Sequence, residues 1–248
     1  MNTQAQKKFK VLLIGDACTD IYQYGTVNRI SPEAPVPIFE YTDGDLRDGM
    51  SGNVRTNLET FGCDVIHLHG NLSTKTRLID KRSKQQLLRI DEDAHSLGLE
   101  ADKVKDLNVD CIVISDYNKG YVTYDLVKTL RARFNGPIFI DTKKTDLSQF
   151  EGCFVKINQL EHSLSTSSCT DLIVTLGDKG AIYQGQIFPA KEVEVADVTG
   201  AGDTFLSALA YWYMNTSDIA QAIQFAIQAS SVTVQHIGVH APMLKDIG

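Results

Sequence analysis

Apolar positions along this chain fall into two alternating rhythms, short unbroken runs and longer stretches with helical spacing. Lys10-Val11-Leu12-Leu13-Ile14-Gly15-Asp16 is a continuous run stopped by Gly-Asp, the pattern of a central parallel strand buried on both faces. Similar strands are expected over residues 107–115, 137–141, 154–157 and 172–175. Helices are expected from Asn53 to about Phe61, closed by Gly62, and then over 123–134, over the apolar run from Phe205 to Trp212, and over 219–235. Strand, helix, strand, repeated, predicts an α/β fold with a doubly wound, mostly parallel sheet flanked by helices.

Three stretches break this rhythm. Residues 29–38 hold Pro32, Pro35 and Pro37, which exclude a helix and predict an extended edge segment. Residues 48–53 read as a loop, and 63–68 as a weakly alternating strand with His67 and His69 on one face, a pair with no third metal ligand nearby. Residues 74–81 and 85–91 flank Arg82-Ser83-Lys84 and predict a two-stranded hairpin.

Polar residues gather where the apolar runs stop: Asp16, Asp116 with Lys119, Asp141 with Lys143, Asn158 with Glu161, Thr175 with Gly177. In a parallel sheet those ends share one edge, so one site is assembled from many strands. The last contribution is Asp197-Val198-Thr199-Gly200-Ala201-Gly202-Asp203-Thr204, set directly before the apolar helix. Its small residues let a backbone approach a ligand closely, and a helix opening there aims unpaired N–H groups at an anion such as phosphate. Asp203, in the first turn beside that anion, is the candidate base; the bland alternative is an acidic residue favouring a helix start.

Composition narrows the class. With 43% hydrophobic and 22% charged residues among 248, the chain is an ordinary globular one, of one large or two small domains. A formal net charge of −7 argues against nucleic acid or an anionic membrane as its main partner. The charge is uneven, because Lys75, Arg77, Lys81, Arg82, Lys84 and Arg89 lie between Asn71 and Ile90 against Asp80 alone. That basic island is either a solvated strand face or a seat for an anionic substrate. Five scattered cysteines without C-x-x-C spacing speak against a disulfide framework or a zinc site, and with a polar start and no membrane-length run a cytoplasmic location is expected.

The run D-V-T-G-A-G-D-T resembles the signature of the ribokinase-like (PfkB) sugar kinases. N-x-x-E at Asn158 and Glu161 and T-x-G-x-x-G at Thr175, Gly177 and Gly180 resemble two more of that family's motifs. The likeness extends over nearly the whole chain. Within the family it is nearest to the kinase domain acting on D-glycero-D-manno-heptose 7-phosphate, on the route to ADP-heptose for lipopolysaccharide cores. The pieces that carry it are G-D-A-C-T-D, N-R-I-S-P-E-A-P-V-P, K-Q-Q-L-L-R-I-D, S-D-Y-N-K-G and I-D-T-K-K-T-D.

The resemblance implies a single ribokinase-like kinase domain over residues 1–248, with a small β lid from segments at about 22–41 and 74–91, of the kind that pairs with a second subunit's lid. It implies Asp203 as catalytic base, with the amides of Gly200, Ala201 and Gly202 as the anion hole. ATP would be bound by Lys143, Asn158, Glu161, Thr175, Gly177 and Gly180, with Asn158 and Glu161 holding Mg²⁺ through water. The sugar would meet Asp16, Asp20, Gly49, Asn53, Arg89 and Lys119, and a monovalent cation (K⁺) is expected near Asp197 and Thr199. Met50 replaces the second of two adjacent glycines and is expected to crowd the sugar ring, and Arg55 stands where a small residue is usual. The chain is also shorter than the family pattern between Gly70 and Ser73 and between Glu161 and Asp171, and it is expected to lack the nucleotidyltransferase domain that some relatives carry. The alternatives are a kinase for another sugar, of fructose or adenosine type, and a non-catalytic sugar or nucleotide sensor. A Rossmann dehydrogenase is disfavoured, because no G-x-G-x-x-G follows the first strand.

Overall fold

The computed structural model describes residues 8–247. Its ten strands are β1 (Lys10–Ile30), β2 (Pro37–Met50), β3 (Asp64–Asp80), β4 (Gln86–Glu92), β5 (Cys111–Asp116), β6 (Ile138–Thr142), β7 (Phe154–Asn158), β8 (Leu172–Thr175), β9 (Ala181–Tyr183) and β10 (Gln186–Phe188). The helices are α1 (Ser51–Thr60), α2 (Tyr124–Arg133), α3 (Gln159–Leu164), α4 (Ala201–Thr216) and α5 (Ile219–Thr233). All strands join one sheet in the order β10-β9-β8-β7-β6-β5-β1-β3-β4, with β2 paired to β1. From β3 through β1, β5, β6 and β7 to β8 the pairing is parallel, and antiparallel strands flank it at both ends.

Strand periodicity splits the core into two layers. Val11 and Leu13 of β1 and Cys111 and Val113 of β5 face α1, α4 and α5, where Leu58, Leu206, Leu209, Ile223 and Ala226 pack. Leu12, Ile14, Ile112, Ile114, Ile138 and Ile140 point to the opposite face, against Leu126, Val127 and Leu130 of α2. Helix α2 begins where Thr123 Oγ1 accepts the Leu126 N–H (3.1 Å), an N-cap that fixes its register.

The sequence and the structure part company at the lid. Strand β1 does not stop at Asp16; it runs 21 residues, and its far half pairs with β2 (antiparallel) and β3 (parallel) past the point where β5 stops. Likewise the strand expected over 63–68 continues to Asp80 and turns into β4, so the predicted hairpin is the tip of a body strand. Around Gly70–Ser73, where the chain is short, β3 passes from body to lid without leaving the sheet. The proline-bearing segment is the bend between β1 and β2, closed by Ser31 N–H donating to Val36 O (2.9 Å). The loop expected over 48–53 is absent. Strand β2 reaches Met50, whose φ of 54° makes the corner, and α1 starts at the next residue. Hairpin β9–β10 was not foreseen; its Gln184-Gly185 corner has both φ angles positive, the geometry of a tight two-residue turn.

Candidate active site

Asp203 stands at the third position of α4, buried against the sheet edge. Gly200 caps the helix with φ 82°, a conformation that favours glycine. Thr204 N–H is the first to bond one turn back, to Gly200 O (2.9 Å), and Ala201 N–H turns to Val198 O (3.3 Å). Among the described residues the N–H groups of Gly202 and Asp203 therefore have no backbone acceptor, so the helix start presents Gly202 and Asp203 more than Ala201.

Two side chains hold the candidate base, Asp203. Asn53 Nδ2 donates to Asp203 Oδ2 (2.8 Å), and the Tyr117 hydroxyl donates to Oδ1 (3.1 Å). Burial pushes the Asp203 carboxyl up to about 6, opposed by the Asn53 hydrogen bond, reinforced by the negative Asp141 and opposed again by Lys156 and Tyr117. A carboxylate titrating there is ionised at neutral pH yet basic enough to accept a proton.

Two neighbouring cavities open on this helix start. One, of about 540 Å³, is lined among others by Tyr117, Asp141, Lys143, Lys156, Asn158 and Asp203. The second, of about 620 Å³, is lined by residues including Gly180, Val193, Val195, Phe205, Ile227 and Val234. Thr175, Gly177, Val198 and Gly202 belong to both. Cations border the first cavity: Lys156 Nζ lies 2.7 Å from Asp141 Oδ2, and a Cβ at Gly202 would sit 3.0 Å from that ammonium. Lys143 pairs with Glu161; burial opposes its charge, yet Glu161 and Asp141 hold the ammonium above its ordinary value. Asn158 caps α3 by accepting Glu161 N–H (2.9 Å), while Glu161 Oε2 accepts Asn158 N–H (2.8 Å). Gly177 and Gly180 have φ of 63° and 94°, so the loop after β8 needs both glycines.

The residues expected around the sugar divide. Asn53 touches the base itself. Asp16 braces the turn after β5 through its Oδ2, which accepts the N–H groups of Tyr117 (2.9 Å) and Lys119 (3.1 Å). Asp20 pairs with Arg77 (2.5 Å), and Gly49 leaves room for it, since a Cβ there would overlap Asp20 Oδ2 and Cys18 Sγ. Arg89 lies exposed on the lid, bidentate to Asp91 at 2.6 Å for both contacts. Lys119 Nζ holds Asp93 (2.5 Å). Met50 is buried, and Arg55 reaches Asp48 (2.5 Å) and Glu59 (4.0 Å) instead of the base.

Of the basic island, Arg77, Lys81 and Arg89 are neutralised by Asp20, Asp43 and Asp91, and Arg82 bonds the Asn28 amide. Lys75 has no carboxylate partner among the described residues; its Nζ lies 5.9 Å from the centre of the Tyr117 ring, next to the base. Sequence reading placed Lys75 only within the basic island and Asp141 only at a strand end, and missed Tyr117 and Lys156 as site residues. Lys156 had a signal, a lysine inside the apolar run of β7, where an unpaired charge is rarely buried.

Among the described residues no group of three His, Cys, Asp or Glu side chains could hold a metal directly. The site does offer Asp141 Oδ1, a buried oxygen without a partner, in the cavity that Asn158 also lines, with Glu161 held by Lys143 and Asn158. That donor set suits a hydrated divalent cation better than a dehydrated one. Asp197 accepts Thr199 N–H (2.9 Å), Thr199 Oγ1 (2.7 Å) and Gly238 N–H (2.9 Å), so the chain's own donors occupy it.

A sheet edge carrying a helix-start anion seat and a buried carboxylate is the arrangement of an α/β phosphotransferase. Residues 83–246 match the model of the pfkB family carbohydrate kinases, and the chain belongs to that family, phosphotransferases with an alcohol acceptor. It is 32% identical to the bifunctional protein HldE of Campylobacter jejuni subsp. doylei, over 94% of this chain but 63% of that protein. The chain thus spans less than two thirds of the relative's length. Their alignment takes 292 positions, more than the chain has residues, so the relative carries segments absent here. The fold is ribokinase-like. It superposes on phosphofructokinase-2 from Escherichia coli, solved with potassium, with a TM-score of 0.72 at 14% identity, covering 97% of this chain and 96% of that one. For the ribokinase of Arabidopsis thaliana, complexed with ribose and ATP, the TM-score is 0.68 at 14% identity, covering 97% and 98%.

Proposed function

We propose that this sugar kinase moves the γ-phosphoryl group of ATP to O1 of a heptose 7-phosphate, with Asp203 as the base. The observation that carries the reading is the placement of Asp203. A buried carboxylate held by Asn53 and Tyr117 shares one cavity with two lysines and with unpaired helix-start amides. A sugar hydroxyl next to Asp203 can give up its proton as it attacks, while the Gly202 and Asp203 amides and Lys156 take the charge of the moving phosphoryl group. ATP fits with its base in the apolar cavity beside Phe205 and Ile227 and its phosphates toward Lys143 and Lys156. Mg²⁺ would be held through water by Asn158 and Glu161, with Asp141 alongside, and would neutralise phosphate charge. No step depends on a potassium ion at Asp197.

The choice of a phosphorylated sugar is supported by Lys75, the basic side chain near Tyr117 that forms no ion pair with a carboxylate among the described residues, and by the resemblance to HldE. We also propose one kinase domain over the chain, and lid-to-lid pairing of two copies, supported by the exposure of Tyr41, Leu46, Leu88 and Ile90 on lid strands. ADP release measured with free and phosphorylated sugars, heptose 7-phosphate among them, tests the substrate. Turnover on hexoses without turnover on phosphosugars would replace the heptose reading with a fructose-type one.

A further inference from the structure

Behind the base runs a buried line of polar side chains that the reaction itself does not require. Asn53, which donates to Asp203, is followed by Asn57 one turn further along α1, then by Thr204 of α4 and Thr233 of α5; the last three are fully buried. Asn57 Nδ2 donates to the Asn53 backbone carbonyl (2.9 Å) and reaches Asn53 Oδ1 (3.3 Å). Thr204 Oγ1 donates to Asn57 Oδ1 (3.0 Å), and Thr233 Oγ1 lies 3.0 Å from Thr204 Oγ1 and 3.1 Å from the His240 carbonyl.

The protons in this line can be assigned from its ends. A backbone carbonyl only accepts, so Asn57 must turn its NH₂ to Asn53 and its oxygen to Thr204. A hydroxyl has one proton; Thr204 directs it at Asn57 and so can only accept from Thr233, whose own single proton is divided between Thr204 Oγ1 and the His240 carbonyl. An ionised carboxylate also only accepts, so Asn53 must turn its NH₂ to Asp203 and its oxygen toward Asn57. Turning Asn53 over would set oxygen against carboxylate at one end and NH₂ against NH₂ at the other, each leaving a buried polar atom unpaired.

We infer that Asn57, held by Thr204 and Thr233, is a positioning residue that locks the Asn53 amide donor onto Asp203. This rests on the reading of Asp203 as the base. Without the lock Asn53 can present its oxygen, and Asp203 loses the donor that stabilises its charged form. The other groups facing Asp203 are Tyr117, Asp141, Lys143, Lys156 and Cys18, and none of them belongs to this line.

The test follows the Asp203 carboxyl carbon by NMR titration of the full chain, its signal assigned by loss in Asp203→Asn, in parallel with the pH profile of ADP release from ATP and heptose 7-phosphate. Thr204→Val keeps the shape of the side chain and removes the hydroxyl. It should raise the Asp203 midpoint and the acid limb of kcat/KM together, by about one pH unit. Thr204→Ser, which keeps the hydroxyl, should titrate like the unaltered chain, and Thr233→Val, one step further back, should shift less in the same direction. Folded Thr204→Val with an unmoved midpoint overturns the inference, as does a shift of equal size in Thr204→Ser. Should Thr204→Val fail to fold, Thr233→Val decides by the same readout. If the midpoints move as stated but Asp203→Asn keeps its turnover, the positioning stands and the base assignment falls.

Discussion

Asp203 is the residue on which chemistry and stability pull in opposite directions. Burial raises its folded-state proton affinity, so its favourable contribution to folding is present below the unfolded carboxyl range and is lost as pH rises through about 6. Replacing it with Asn should therefore raise the melting temperature at pH 7, a gain on the order of 1–3 kcal/mol that fades as pH falls from about 6 to about 4. Turnover should drop by roughly 10²–10⁴ in the same variant. Calorimetry across pH with a coupled ADP assay reads both, and a variant with near-normal turnover removes Asp203 from the base role. In the unaltered enzyme kcat/KM should decline as pH drops through about 6, because a protonated carboxyl cannot take the sugar's proton.

At the scale of elements, the lid is an extension of two body strands, and its contacts tie sugar-side residues to the sheet. Gly49, opposite Cys18 on β1, lies so near the Asp20 carboxylate that a Cβ there would overlap it. Gly49→Ala should dislodge the Asp20–Arg77 pair and raise the sugar KM tenfold or more, with the ATP KM within about twofold, because the nucleotide cavity is built by other elements. Equal effects on both substrates would show that the change acts through general unfolding. Lys75→Ala on β3 should raise KM about tenfold or more for a phosphorylated sugar and leave an unphosphorylated one nearly unchanged, since the lost partner is a charge. Steady-state kinetics on a matched pair of sugars separates the two.

For the whole molecule, body and lid share one hydrogen-bonded sheet, linked by β1 and β3 rather than by a loose connector. The lid's outer strands leave apolar side chains exposed, and pairing of two copies would cover them. Sedimentation of the full chain should then show a dimer that Leu88→Glu with Ile90→Glu converts to monomer. A monomeric unaltered chain at micromolar concentration would end the pairing proposal.

What the amino-acid order determined by itself was whatever depends on neighbours along the chain. The apolar runs of β1, β5, β6, β7 and β8, the helix after Gly200, and Asp203 at a helix start could all be read locally, because burial on both faces and helix-end chemistry leave periodic or positional marks. Tertiary structure decided what depends on residues meeting from afar. It carried β1 and β3 into the lid, as strand length is set by the partner strand and not by local hydrophobicity. It turned Asp16 into a brace and Arg89 into a partner of Asp91, and brought Tyr117, Lys156 and Asn53 together around a carboxylate between 47 and 150 residues away, measured from Lys156 and from Asn53. Charges compete for the nearest partner in space, and sequence distance does not report which partner that is.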